Sequence, residues 1–272
     1  MSKVSDDLEK AIKRSVNVGD VILEVPNWLS NLGVKAGSII TSSERIGSDR
    51  NNKTDVIIHL KNSNPIKISA KLSNADYYGN WYGHRRFMEE FGNEAFEKLS
   101  NDITEWANNW LQNTSAPFVG VSICFGHRSG RTAREFTDIF SFDDIIKIVA
   151  GHGEGNHVAN CLYVSSKHPE NLSELISNLK PINVDTLRAI SKNFKIAYRP
   201  INPITEYSNR GKNIYTKFEP YKRLDNLEIV ESPKRLAQLG RFVKVEPNRI
   251  NHNHVLKELV SKYNISIPMK SK

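Results

Sequence analysis

The chain has 272 residues, enough to bury a sizeable core in one or two domains, and its 39% hydrophobic and 25% charged content is ordinary for a soluble protein. No apolar run approaches the ~18 residues of a membrane span, the opening MSKVSDDLEKAIKRS has no apolar signal-peptide core, and the two cysteines, Cys124 and Cys161, lie far apart in apolar contexts, which reads as buried free thiols of a cytoplasmic protein rather than a disulfide or zinc site. Net charge is +8 and unevenly placed: residues 190–272 hold 17 Lys and Arg against 7 Asp and Glu, while the rest of the chain holds 21 against 23, so the excess suits either a polyanionic partner or a basic solubilising surface.

Residues 6–16 have the pattern of an amphipathic helix. Ser5 or Asp6 can cap it, Leu8, Ala11, Ile12 and Val16 share one face, and Glu9 falls on or near the other. Residues 20–43 mix short apolar runs with Pro26, Gly33 and Gly37, which predicts a short strand, a helical turn near Trp28 and a loop. The polar stretch 42–53 reads as a loop, in which Arg45 and Arg50 suit phosphate contact or plain surface equally.

Residues 51–74, NNKTDVIIHLKNSNPIKISAKLSN, predict two strands joined by a tight turn. The first is 54–60, the turn 61–65 is built from Asn62, Ser63, Asn64 and Pro65, and the second is 66–72. In the second strand Ile66, Ile68, Ala70 and Leu72 alternate with Lys67, Ser69 and Lys71. Asp55 opens the first strand and Lys71 closes the second, so pairing brings them to one end of the hairpin. A carboxylate there can hold a hard divalent cation and an ammonium beside it can steady a phosphate charge or help activate a water, which is the chemistry of metal-dependent phosphodiester cleavage. The competing reading is a solvated surface pair.

Next, Tyr77, Tyr78, Trp81 and Tyr82 are interleaved with Asn80, His84, Arg85 and Arg86, which suits either nucleic-acid contact or a core with a charged helix face. Residues 89–111 predict a long amphipathic helix and 117–124 a buried strand. GHRSGRTAR places Arg128, Arg131 and Arg134 at three-residue spacing, as a phosphate clamp or a helix start paired with Glu135 and Asp138. Residues 140–149 read as a helix. GHGEGNH, 151–157, reads as a flexible loop, since it lacks the spacing of a helical zinc motif or a dinucleotide fingerprint. A strand at 158–165 and helices at 172–179 and 183–193 follow.

In the basic third, strands at 194–198 and 213–218 predict a hairpin around Ser208-Asn209-Arg210-Gly211. It carries Arg210, Lys212, Asn213 and Lys217, residue types that read base edges in a major groove or sit on an ordinary exposed turn. Helices near 232–239 and 255–263 flank a strand at 241–245. The strand, hairpin, helix, strand order predicts an α/β (α+β) fold with a mixed central β-sheet flanked by helices. No repeat or linker stands out, so one compact body, 1–272, is expected, with 1–165 as core and 190–272 as the basic part.

The run Lys53-Thr54-Asp55 followed by Ser69-Ala70-Lys71 resembles the PD-(D/E)xK nuclease motif. Within that superfamily it is most similar to small type II restriction endonucleases that cut four-base sites, in which the catalytic Lys is soon followed by a pair such as Ser73-Asn74 here. The similarity covers residues 50–90, with a fainter echo in the C-terminal strands, and departs from the pattern at Ser69, where an acid is usual. The resemblance implies a restriction-endonuclease-like fold with a basic C-terminal DNA-recognition lobe. It implies Mg²⁺-dependent cleavage of double-stranded DNA at a short site in a restriction-modification system, by a monomer or homodimer. Asp55 and the main-chain carbonyl of Ala70 would hold the metal, with Ser69 contributing weakly or through water. Lys71 would act at the scissile phosphate, and Glu9, on the first helix, would border the site. Contacts to DNA are expected from Asn74, Tyr78, Asn80, Arg85, Arg128, Arg131, Arg210, Lys212, Asn213 and Lys217. A repair or structure-specific nuclease of the same fold, or a non-catalytic DNA-binding protein, are the alternatives.

Overall fold

The computed structural model describes residues 3–46, 52–127, 131–190, 194–207, 210–248 and 250–270. In chain order the elements are α1 (Lys3–Arg14), α2 (Asn27–Ser30), β1 (Ile40–Arg45), β2 (Val56–Leu60), β3 (Ile66–Lys71), β4 (Tyr77–Gly79), α3 (His84–Asn113), β5 (Gly120–Gly126), β6 (Ala133–Glu135), α4 (Phe142–Ala150), β7 (Cys161–Val164), α5 (Leu172–Asn178), β8 (Leu179–Pro181), α6 (Val184–Ile190), β9 (Lys195–Pro200), β10 (Thr216–Pro220), β11 (Glu228–Ile229), α7 (Pro233–Leu239), β12 (Gly240–Lys244), α8 (His252–Tyr263) and β13 (Ile265–Ser266). The mixed α+β class is as expected. Among the described residues no helix is long and apolar enough to cross a membrane, and both cysteines are buried free thiols.

The chain forms two compact units, Met1–Tyr78 with Ser141–Lys192, and Gly79–Phe140 with Asn193–Lys272. This differs from a single body with a 1–165 core. The expected single central sheet is also replaced by two larger sheets and a two-stranded one, β11 with β13.

The sheet of the first unit has the order β1-β2-β3-β7-β8. β1, β2 and β3 form an antiparallel meander, β7 runs parallel to β3, and β8 runs antiparallel to β7. Its turn between β2 and β3 uses Asn62 at φ 59, a left-handed conformation that asparagine tolerates. Alternation decides the faces. Val56, Ile58 and Leu60 of β2, Ile66 and Ile68 of β3, and Cys161 and Tyr163 of β7 pack in one core with Leu8 and Ile12 of α1 and Leu175 and Ile176 of α5. Toward α4, Ser69 is turned to the helix backbone. α4 starts on a capping box, in which Ser141 Oγ accepts from the Asp144 amide and Asp144 accepts from the Ser141 amide.

The second unit's sheet runs β12-β10-β5-β9-β6. β5 is wholly buried, as its unbroken apolar run predicts, and lies between β10 and β9, antiparallel to both. The expected hairpin of 194–198 with 213–218 is therefore not formed: β9 and β10 are separated by β5. An apolar strand of seven residues buries best with a ladder on each edge, and the two later strands supply those ladders. α3 starts five residues earlier than its apolar pattern and is interrupted at Gly92, whose φ 81 and ψ 179 no helix accommodates. Phe87, Phe91, Phe125, Phe140 and Tyr215 form an aromatic core at centroid distances of 5.0–5.9 Å. Tyr82 belongs to it, stacked edge-on against Phe125.

Candidate active site

The first unit brings Asp55, Ala70 and Lys71 together where β2 and β3 part. The antiparallel register is Val56 opposite Ile68, so its continuation would set Asp55 opposite Ser69 and then Thr54 opposite Ala70. That pair does not form. The amides of Lys53 and Thr54 donate instead to the carbonyl of His157, at 2.9 and 3.3 Å, and Thr54 also to Asn52 Oδ1 at 3.0 Å. The glycine-rich loop 151–157 thus draws the entry to β2 aside, and Lys67 Nζ ties the loop to β3 through the Gly155 carbonyl at 2.8 Å.

The parting frees the Ala70 main chain, and side chains take it up. Asp55 Oδ2 accepts from the Ala70 amide at 2.7 Å, and Lys71 Nζ donates to the Ala70 carbonyl at 3.2 Å and to Asp55 Oδ2 at 3.4 Å. Asp55 Oδ1 accepts no hydrogen bond from the described residues. The backbone of Asp55 is fixed from both sides, its amide donating to the Ile68 carbonyl at 2.8 Å and its carbonyl accepting from Ile46 at 3.1 Å. A carboxylate, an ammonium and a main-chain carbonyl therefore share one notch, Ala70 and Lys71 at the end of β3 and Asp55 immediately before β2.

Glu9 enters from α1. It is only 5% exposed, so it is not the solvent-facing helix glutamate that its place in the apolar pattern allows. Its Oε2 accepts from Arg45 Nη2 at 2.6 Å, and the same nitrogen donates to Asp6 Oδ1 at 2.6 Å. Asp6 also pairs with Lys10 at 2.5 Å. Burial holds the Glu9 carboxyl above the usual carboxylate range; the Arg45 hydrogen bond pulls it down and the Asp55 charge adds to the rise. Lys71 acts on it in the opposite sense, so Glu9 is electrically part of the notch. Arg45, which the sequence leaves between phosphate contact and surface, is the ion that makes burying Glu9 tolerable.

Ser69 stands apart. It is fully buried, and its hydroxyl donates to the Val149 carbonyl in the last turn of α4 at 2.8 Å. It serves an orphan helix carbonyl, not a cation.

The expected DNA contacts fare unevenly. Asn74 is exposed in the turn after β3. Tyr78 is buried. Asn80 accepts from Cys124 Sγ at 3.2 Å, and Arg85 pairs with Glu89 one turn along α3. Arg128, like Arg50, lies outside the described residues. The expected arginine clamp is otherwise taken up by α3: Arg131 lies 5.0 Å over the Trp110 ring and Arg134 makes a two-toothed pair with Asp102. Glu135 pairs with Lys195 instead of starting a helix. Of the turn 208–211, residues 208 and 209 lie outside the described residues. Arg210 donates to the Tyr207 carbonyl, and Lys212 is half-buried. The Asn213 amide is spent on the carbonyls of Asn248 and Ile250, which removes it as a reader of adenine. Lys217 lies between Glu219 and Glu258 at 3.6 and 3.7 Å, a strut against α8.

Comparison of the chain with protein-family profiles, with curated proteins and with solved structures returns no match.

Proposed function

We propose that the notch of Asp55, Ala70 and Lys71 is the centre of a Mg²⁺-dependent endonuclease acting on double-stranded DNA, of the type II restriction kind. The observation that carries this reading is the meeting of Asp55 and Lys71 at 3.4 Å around the main chain of Ala70, at the splayed end of β2 and β3. Among the described residues no three His, Cys, Asp or Glu side chains converge on a point. The donor set is accordingly a carboxylate oxygen, Asp55 Oδ1, and the Ala70 carbonyl. Hard oxygens in that number fit Mg²⁺, which dehydrates reluctantly and keeps several waters beside one or two carboxylates. When bound, the ion would polarise a phosphodiester as a Lewis acid.

The chain's own residues would do the rest. Asp55, fixed at both backbone groups, gives a carboxylate that does not move with the loops. The Lys71 ammonium donates toward the same point and stabilises negative charge gathering on the phosphate during attack, or orients the attacking water. The basic residues 190–272 would supply non-specific attraction to the polyanion.

The test is incubation with phage DNA and Mg²⁺ followed by sequencing of the ends. Discrete fragments with one shared end sequence are expected. Smearing, or nicking confined to branched DNA, would move the protein to a repair or structure-specific nuclease. The absence of an acid at position 69, where the Ser69 hydroxyl serves the Val149 carbonyl, favours one second reading, a non-catalytic DNA-binding protein, which any metal-dependent turnover would exclude.

A further inference from the structure

Glu9 is a second carboxylate beside the notch, near enough for the Asp55 and Lys71 charges to act on it, and its Oε2 is held by Arg45. The guanidinium stands at the end of β1, where Arg45 pairs in register with Val56, the residue after Asp55. One nitrogen, Nη2, reaches both Glu9 and Asp6 at 2.6 Å. The fork geometry that makes Arg–carboxylate pairs strong is unused, and Arg45 Nε is buried with no hydrogen-bond partner among the described residues. An ion pair made through a single nitrogen, with a second donor left dry, is held less firmly than a two-toothed one. Asp6, Glu9 and Asp55 face Lys10, Arg45 and Lys71, so the cluster has no net charge and offers a dication little attraction.

Resting on the reading of the notch as a metal site, we infer that Arg45 is a positioning residue, an internal counter-cation that occupies Glu9 in the metal-free protein and keeps the affinity of the DNA-free protein for divalent ions low. Removing its charge leaves Glu9 as an uncompensated buried carboxylate beside Asp55. A divalent ion is then the compensating charge at hand. The gain is not a general effect of charge on the protein, because it runs through one carboxylate.

The experiment is Mn²⁺ binding to the full chain without DNA, followed by the spectrum of free Mn²⁺ and by calorimetry. Arg45→Gln is expected to bind Mn²⁺ at least about fivefold more tightly than the wild type, a modest fraction of the Coulomb attraction of a dication to one freed carboxylate at partly buried depth. Arg45→Lys, which keeps a cation and most of the stem, should fall between them and guards against misfolding of the first variant. Adding Glu9→Gln to Arg45→Gln should abolish the gain. Arg45→Gln binding no tighter than the wild type, or a double variant that keeps the gain, overturns the assignment. The wider reading is tested separately by Asp55→Ala: loss of Mn²⁺ binding there with no gain in Arg45→Gln removes the role of Arg45 and leaves the site, whereas binding unchanged by Asp55→Ala removes the site itself.

Discussion

Position 69 separates this chain from the acid-x-lysine pattern, and the structure gives a definite consequence for restoring the acid. Ser69 is fully buried, and its hydroxyl donates to the Val149 carbonyl at 2.8 Å, in the last turn of α4. Ser69→Ala removes the donor and leaves that carbonyl unsatisfied, which costs about 1–3 kcal/mol. For a protein of this size each kcal/mol lowers the melting temperature by roughly 2–4 °C. Ser69→Asp is far worse. It would bury a carboxylate against a carbonyl at the negative end of a helix, a penalty on the order of several kcal/mol. Calorimetry and plasmid digestion on the same preparations check both. Ser69→Ala should melt lower and cleave at the wild-type rate, and Ser69→Asp should fail to fold or melt much lower. A folded Ser69→Asp that cleaves faster would refute the reasoning, because residue 69 would then face the cation.

Two further expectations concern stability. Gly151 ends α4 at φ 104, and a Cβ there would lie 3.2 Å from Lys53 Cγ and 3.4 Å from the His157 carbonyl; Gly151→Ala should cost about 1–3 kcal/mol and slow cleavage, since His157 holds the entry to β2 aside, and a wild-type rate would break that link. His252 is pushed down to about 4 from 6.5 by burial, against the pull of its hydrogen bond to the Gly120 carbonyl. The unfolded state therefore binds its proton first, so stability is highest above pH 6.5 and declines, by roughly 3 kcal/mol at most, as pH falls toward 4. Urea melts at about pH 7 and about pH 4.5 should show a smaller difference in His252→Gln than in the wild type.

The sequence is most transparent where contacts are local. The alternation of residues 66–72 marks β3 and its inner face, and turn-forming residues mark the bend before it. What it hides depends on partners far along the chain. Glu9 reads as a helix-surface residue because the charge that allows its burial, Arg45, is 36 residues away, at the end of a strand that the polar composition of 42–53 disguises as loop. Ser69 has the same face as Lys71 by alternation, and only Val149, 80 residues later, tells them apart. The glycines of 151–157 suggest a free loop, whereas the backbone of that loop takes the amides that a ladder partner of Ala70 would have used. Strands 194–198 and 213–218 look like neighbours because they are close in sequence, and β5, from much earlier, comes between them. Non-local pairing of this kind leaves no periodic signal.

The most direct measurement is cleavage of supercoiled plasmid and phage DNA in Mg²⁺ by Asp55→Asn and Lys71→Met beside the wild type, with DNA binding followed in parallel. Both substitutions preserve bulk, and the side-chain carbonyl introduced by Asp55→Asn can still accept from the Ala70 amide, so both variants should fold. The expected result is wild-type cutting, full DNA retention by both variants, and loss of cutting in each by at least about a hundredfold, the scale of one removed electrostatic group at a reacting centre. Cutting by either variant at the wild-type rate would contradict the assignment of these two side chains to the chemistry.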